Sequence, residues 1–173
     1  MTIEKVSAGG VFTVQCFDKD GALKWTAEEH NLVVNVGLKD MNEKYFTGSA
    51  YTATWFLGLY GAGASNNPAA GDTMASHAGW VEVLVYSQAT RPACTFSTST
   101  TADPSVISNA ASVAVFSVNG TSTVGGAFLT NSSTKNGTTG ILFSAGDFTS
   151  PGDRAVVSGD TLNVTYQFSL DAV

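Results

Sequence analysis

The side chains best suited to nucleophilic or general-base work in this chain are His30, His77, Cys16 and Cys94. His77 follows Asp72 by five positions, within a long stretch rich in Gly and Ala. A hydrolase would pair such a histidine with a nucleophile on a sharp turn, and no Gly-x-Ser-x-Gly elbow occurs. Triads are assembled in space rather than in sequence, yet no other feature points to one. The expectation is a protein that is not an enzyme. His77 then reads as a loop residue that bonds backbone or packs beside Trp80. The cysteines stand far apart and in no metal-ligand spacing. Their number permits one disulfide by count alone; two free buried thiols are expected, because no export signal is visible. Asp18-Lys19-Asp20-Gly21 imitates the first positions of a calcium loop without completing its pattern, and reads as a hairpin turn. Ala62-Gly63-Ala64 and Gly125-Gly126 are not strand-to-helix phosphate loops. No cofactor or metal is expected.

Composition narrows the classes further. Of 173 residues only 13% are charged, against about a quarter in an ordinary globular domain. The net charge is −6, and beyond Tyr45 the basic residues are Arg91, Lys135 and Arg154. Neutralising phosphates needs clustered Lys and Arg, so a nucleic-acid partner is not expected. The opening Met1-Thr2-Ile3-Glu4-Lys5-Val6 lacks the apolar core of a signal peptide. No run approaches the ~20 apolar residues of a membrane span. Synthesis and assembly in a cytoplasm are the expectation.

The elements that must carry these residues are mostly strands. Residues 1–9 read as a loose arm and residues 10–173 as one domain. Phe12, Val14 and Cys16 alternate with polar or mixed positions, and a turn at residues 18–21 leads into a second strand, which makes a hairpin. Leu32 to Val36 is apolar. Leu38, Met41 and Tyr45 then fall at steps of three and four, which predicts one short helix over residues 38–46, with Lys39, Asp40 and Glu43 outward. Thr54 to Tyr60 is apolar almost throughout, as in a strand covered on both faces. Residues 61–79 form a long loop, and ordered loops beyond ~12–15 residues usually serve a function or lack structure. Trp80 to Tyr86 reads as a strand. Asn119-Gly120 lies between two strand-like runs and predicts a tight hairpin with positive φ at both positions. Residues 162–170 alternate with period two, Leu162, Val164, Tyr166, Phe168 and Leu170 sharing one face. Eight to ten strands separated by Gly, Asn and Pro turns predict an all-β fold. The expected form is a β-sandwich of jelly-roll or immunoglobulin-like type with one short α-helix.

The tryptophans weigh on function. Trp55 and Trp80 lie in apolar strands and read as core, whereas Trp25 sits in a mixed strand and is a candidate for exposure. Asn119-Gly-Thr-Ser and Asn136-Gly-Thr-Thr are polar turns.

Four stretches, in order, carry a resemblance: Asn31-Leu-Val-Val-Asn-Val-Gly-Leu, Asp72-Thr-Met-Ala-Ser-His-Ala-Gly-Trp, Gly126-Ala-Phe-Leu and Gly159-Asp-Thr-Leu-Asn-Val-Thr-Tyr. With them the chain resembles a group of small virion structural proteins of tailed bacteriophages. The resemblance implies a non-enzymatic component, such as a capsid decoration (cement) protein or part of a fibre. The reading is a decoration protein on the capsid surface of the virion, assembled in the host cytoplasm. It would bind between subunits of the major capsid protein, self-associate as a dimer or trimer, and bind neither nucleic acid nor membrane. The alternative is a tail- or head-fibre component that binds host glycan. Low charge and Gly-Ala loops suit docking, and the expected partner contacts are Thr2, Ile3, Val6, Gly63, Asn66, Pro68, Met74 and His77.

Overall fold

The computed structural model describes residues 5–51, 54–61, 67–149 and 152–172. It is an all-β sandwich of two antiparallel sheets with one short helix. The first sheet holds β1 (Val6–Phe17), β2 (Leu23–His30), β7 (Ser105–Ser108), β8 (Ala114–Ser117) and β12 (Thr161–Ala172). Its order is β2-β1-β12-β7, and β8 pairs with the first residues of β12. The second sheet holds β3 (Leu32–Val33), β4 (Trp55–Gly61), β5 (Val81–Glu82), β6 (Ala93–Cys94), β9 (Ser122–Thr130), β10 (Leu142–Asp147) and β11 (Arg154–Val156). Its order is β3-β10-β9-β4-β5, with β11 on β9 and β6 on β4.

The period-two patterns behave as expected except at Leu170, which is exposed near the end of β12. Phe12, Val14 and Cys16 of β1 and Leu162, Val164, Tyr166 and Phe168 of β12 all point into the core. The two strands pair in unbroken register from Val6↔Ala172 to Phe17↔Thr161. The β1–β2 turn is closed by Asp18, whose Oδ1 accepts the N–H groups of Asp20 and Ala22. Gly21 takes φ +83° there, a conformation that favours glycine. Cys16 and Cys94 are both buried and unbridged.

The second sheet is buried on both faces. Its inner face contributes Leu57, Leu59, Ala127 and Leu129 to the core between the sheets. Its outer face carries Tyr60, Phe128, Leu142 and Ala145, which pack with Val34, Met74 and Trp80. The rings fit because two neighbours lack side chains: a Cβ on Gly58 would meet the Phe128 ring at 2.1 Å, and one on Gly126 the Tyr60 ring at 2.2 Å. What covers the outer face is the segment expected to be a free loop. Among its described residues, Asp72 Oδ2 accepts the Ala69 N–H and the Trp80 indole N–H, each at 3.0 Å. Thr73 and Ser76 exchange backbone bonds in a tight turn.

Several expectations are corrected. Residues 6–9 are not a loose arm but the first part of β1. The helix, α1, spans Asn35–Phe46 and starts earlier than its apolar spacing indicated. Its inward stripe is Gly37, Asp40 and half-buried Met41, while Leu38 and Tyr45 face outward. Gly37 sets this face: a Cβ there would sit 2.4 Å from the Phe143 carbonyl oxygen, so only glycine lets the helix lie this close to β10. Lys39 and Glu43 point outward and pair at 2.6 Å. The strand expected over Trp80–Tyr86 shrinks to β5, within which Glu82 turns inward to Arg91. Asn119-Gly120 makes no hairpin. The strands around it belong to different sheets, β8 to the first and β9 to the second. Neither residue has positive φ; among the described residues the non-glycine residue that does is Asn136, at 55°.

Candidate docking site

The short helix and the loop behind it expose three aromatic side chains. Thr47 ends α1, its N–H and hydroxyl both donating to the Glu43 carbonyl. Lys44 lies 3.8 Å from the buried Asp40 carboxylate, and its Nζ also donates to the Ala50 carbonyl. One lysine thereby ties the residues after the helix back onto it. Three aromatic rings stand in solvent here: Tyr45 is 83% exposed, Phe46 76% and Tyr51 70%. Tyr45 and Phe46 stand edge to face, with centroids 4.8 Å apart and planes at 81°.

Tyr51 also lines a cleft of about 520 Å³ between the helix and the sandwich end. Its other walls include Met41, Trp55, Phe96, Phe143 and Phe168. Trp55 and Phe168 each pack edge-on against Phe143 at 5.4 Å. Asp40 and Lys44 sit at the rim and are paired with each other. The cleft offers little to a reaction. Cys94 reaches it, but burial pushes its thiol up to about 12, so the nucleophilic thiolate is absent at neutral pH. Tyr166, also on the wall, is raised by burial; its hydroxyl accepts from Asn31 Nδ2 at 2.7 Å and lies 3.3 Å from the Ser144 hydroxyl. Such a surface suits the apolar side chains of a partner.

The residues expected to contact a partner are scattered. Thr2, Ile3, Gly63 and Asn66 lie outside the described residues. Val6 is exposed, at the start of β1 opposite Ala172. Pro68 is half-buried. Met74, expected to reach outward, is instead 2% exposed in the outer-face core of the second sheet. His77 stacks on Trp80 at 3.9 Å, and its Nδ1 donates to the Trp80 carbonyl at 2.9 Å. Asp72 bonds the indole of Trp80 rather than His77, so the two do not form a catalytic dyad. A second cleft of about 360 Å³ beside His77 is floored by Trp80, Phe128 and the Glu82–Arg91 ion pair. That arginine is engaged by Glu82, the Ser132 carbonyl and the Gly137 carbonyl, as a structural tie. Among the described residues no three His, Cys, Asp or Glu side chains gather as metal ligands, and no helix is long and apolar enough to cross a membrane.

Sequence reasoning missed Tyr45, Phe46 and Tyr51. Tyr45 was assigned to the core by a period counted from Leu38, whereas the inward face follows Gly37. The available signal was the glycine: a small residue one position before an apolar one marks where a helix can approach a sheet. Comparisons with protein-family models, with curated proteins and with solved structures give no match.

Proposed function

We propose that this protein is a non-enzymatic structural component of a tailed-phage virion, a decoration protein that docks on the head between major capsid subunits. The observation that carries the docking reading is the aromatic surface of Tyr45, Phe46 and Tyr51 beside an apolar cleft, on a chain with few charges elsewhere. The phage assignment rests on the resemblance of the four sequence stretches. A protein that binds only the assembled shell stabilises it by mass action, and many symmetry-related copies add avidity.

The fibre reading, in which the chain binds host glycan, has less support. A sugar-binding platform needs a flat ring face open to solvent, but Tyr45 and Phe46 stand perpendicular to each other. Trp80 is buried and Trp25 and Trp55 are half-buried.

The test uses undecorated heads of the phage whose genome encodes the chain. The parent protein is expected to co-sediment with them saturably. A Tyr45→Ser, Phe46→Ser, Tyr51→Ser variant is expected to keep its circular dichroism and lose co-sedimentation. Equal saturation by the folded variant would remove this surface from the reading. A parent that ignores heads but is retained on host glycan would favour the fibre alternative.

A further inference from the structure

The chain contains two Asn-Gly steps, Asn119-Gly120 and Asn136-Gly137, and the fold treats them oppositely. An asparagine followed by glycine can react with its own backbone. The following nitrogen adds to the side-chain Cγ, and no Cβ on glycine obstructs the rotation this requires. The nitrogen must be free of other bonds and the local backbone free to turn.

At Asn136 both conditions fail. Its φ of 55° lies in the left-handed region. Its N–H donates to Glu82 Oε2 at 2.6 Å, and that carboxylate is itself clamped by Arg91. The Gly137 N–H donates to the Thr134 carbonyl at 3.0 Å, and the Gly137 carbonyl accepts from Arg91 at 3.3 Å. Reaction there would dismantle a buried ion-pair network. Asn131-Ser132 is restrained in a similar way, since Asn131 Oδ1 accepts the Ile141 N–H at 2.7 Å.

At Asn119 neither restraint is present. The side chain is exposed and the step lies in the open crossing from β8 to β9. The Asn119 N–H donates to the Val85 carbonyl at 3.1 Å, which holds the residue's own amide and leaves the next nitrogen untouched. None of the hydrogen bonds among the described residues engages the Gly120 N–H.

We infer that Asn119 is a site of spontaneous modification: its side-chain amide is converted to a carboxylate through attack by the Gly120 nitrogen, while Asn136 is protected by the fold. The Gly120 N–Cγ bond forms and the Cγ–Nδ2 bond breaks. The amide nitrogen leaves as ammonia, carrying the proton lost by Gly120. Water then opens the five-membered imide at either carbonyl, giving aspartate or β-linked isoaspartate. Water is the sole co-reactant, and the rate rises with pH because the attacking nitrogen must lose its proton. Each conversion adds one negative charge to a chain of net charge −6. The isoaspartate product also lengthens the backbone beside the Val85 bond.

Cleavage after Lys135 places the two asparagines on different peptides, so peptide mapping by mass spectrometry reads them separately. The intact chain is aged at neutral and mildly alkaline pH. The Asn119 peptide is expected to gain the mass of an amide-to-acid change several-fold faster than the Asn136 peptide, and faster still at the higher pH. In denaturant the two rates should converge. Gly120→Ala should slow the Asn119 reaction several-fold; the backbone accepts alanine there, its Cβ meeting only the Val85 side chain at 3.3 Å. Conversion of Asn136 as fast as Asn119 in the folded chain would overturn the inference. So would an unreactive Asn119 in the folded chain, or a Gly120→Ala variant that reacts at the parent rate.

Discussion

Glu82 and Arg91 form a two-pronged ion pair in the interior, with Nε to Oε1 and Nη2 to Oε2 each 2.8 Å. Their side chains are 4% and 0% exposed. Arg91 also lies 5.2 Å from the Phe128 ring centroid, and Glu82 accepts the Asn136 N–H. The pair therefore joins β5, the segment before β6 and the loop between β9 and β10. Removing one member leaves the other charged and unpaired away from water. Glu82→Ala or Arg91→Ala is expected to cost about 3–5 kcal/mol. Urea unfolding measures this, and the double variant Glu82→Leu, Arg91→Met should recover much of the loss.

Close ring-to-glycine contacts give a second test. A Cβ on Gly126 would overlap both the Tyr60 ring and the Gly146 carbonyl oxygen, each at 2.2 Å. Gly126→Ala is expected to destabilise by about 1–3 kcal/mol or more, as overpacking does. Gly9→Ala, where a Cβ meets nothing within 4 Å, serves as the control and should change stability little.

The Lys24–Asp160 pair predicts a pH window. Lys24 Nζ lies 2.6 Å from Asp160 Oδ2, and the Val157 N–H donates to the same oxygen. Burial pushes the Asp160 carboxyl upward, but the bonds from Lys24 and Val157 outweigh it and hold the group below the ordinary aspartate range. Its stabilisation is present above the unfolded-state value and is lost as pH falls through the folded one. Lys24 is raised, first by its bond to Asp160. Its share is complete below the ordinary lysine range and is lost at alkaline pH. Thermal midpoints measured across pH should fall at both ends. Lys24→Met should lower stability at neutral pH and flatten both limbs, since neither group then keeps its shift from the pair.

The thiols supply a fourth prediction. Burial, first of all, pushes Cys16 up to about 11, with the Asp160 charge adding to it, and burial alone pushes Cys94 up to about 12. Neither thiol should react with an alkylating reagent at neutral pH in the native protein. Both should label once the chain is unfolded without reductant, since they are unbridged. Intact mass reads the count, and labelling of the native chain would contradict the burial.

Much of the sandwich was legible because it rests on local alternation. Phe12, Val14 and Cys16, like Leu162 to Phe168, announce a face by period two, and the structure buries that face. The continuous apolar run of β4 correctly signalled a strand covered twice, but not its cover. Trp80 was read as core, but only the tertiary structure shows that Met74 joins it in closing the second sheet rather than meeting a partner. Asn119-Gly120 misled for a related reason. A two-residue hairpin needs its flanking strands to be neighbours, and strand partnership is a long-range property that the turn residues do not encode. The exposure of Tyr45 was hidden by a phase error, the apolar spacing being counted from Leu38 whereas the buried stripe follows Gly37.

The pairing of β1 with β12 has a consequence for how the chain is made. Twelve residues of the first strand are matched one for one with residues near the opposite end of the sequence, so this ladder has the longest loop to close. A ribosome-bound fragment that lacks β12 cannot cover Phe12, Val14 and Cys16 on β1 from that side, nor offer β7 and β8 their partner. Closure must then wait until synthesis has passed Thr161. Folding of the first sheet should be slow, and until β12 is available the nascent chain carries an open, apolar strand that is prone to mispairing.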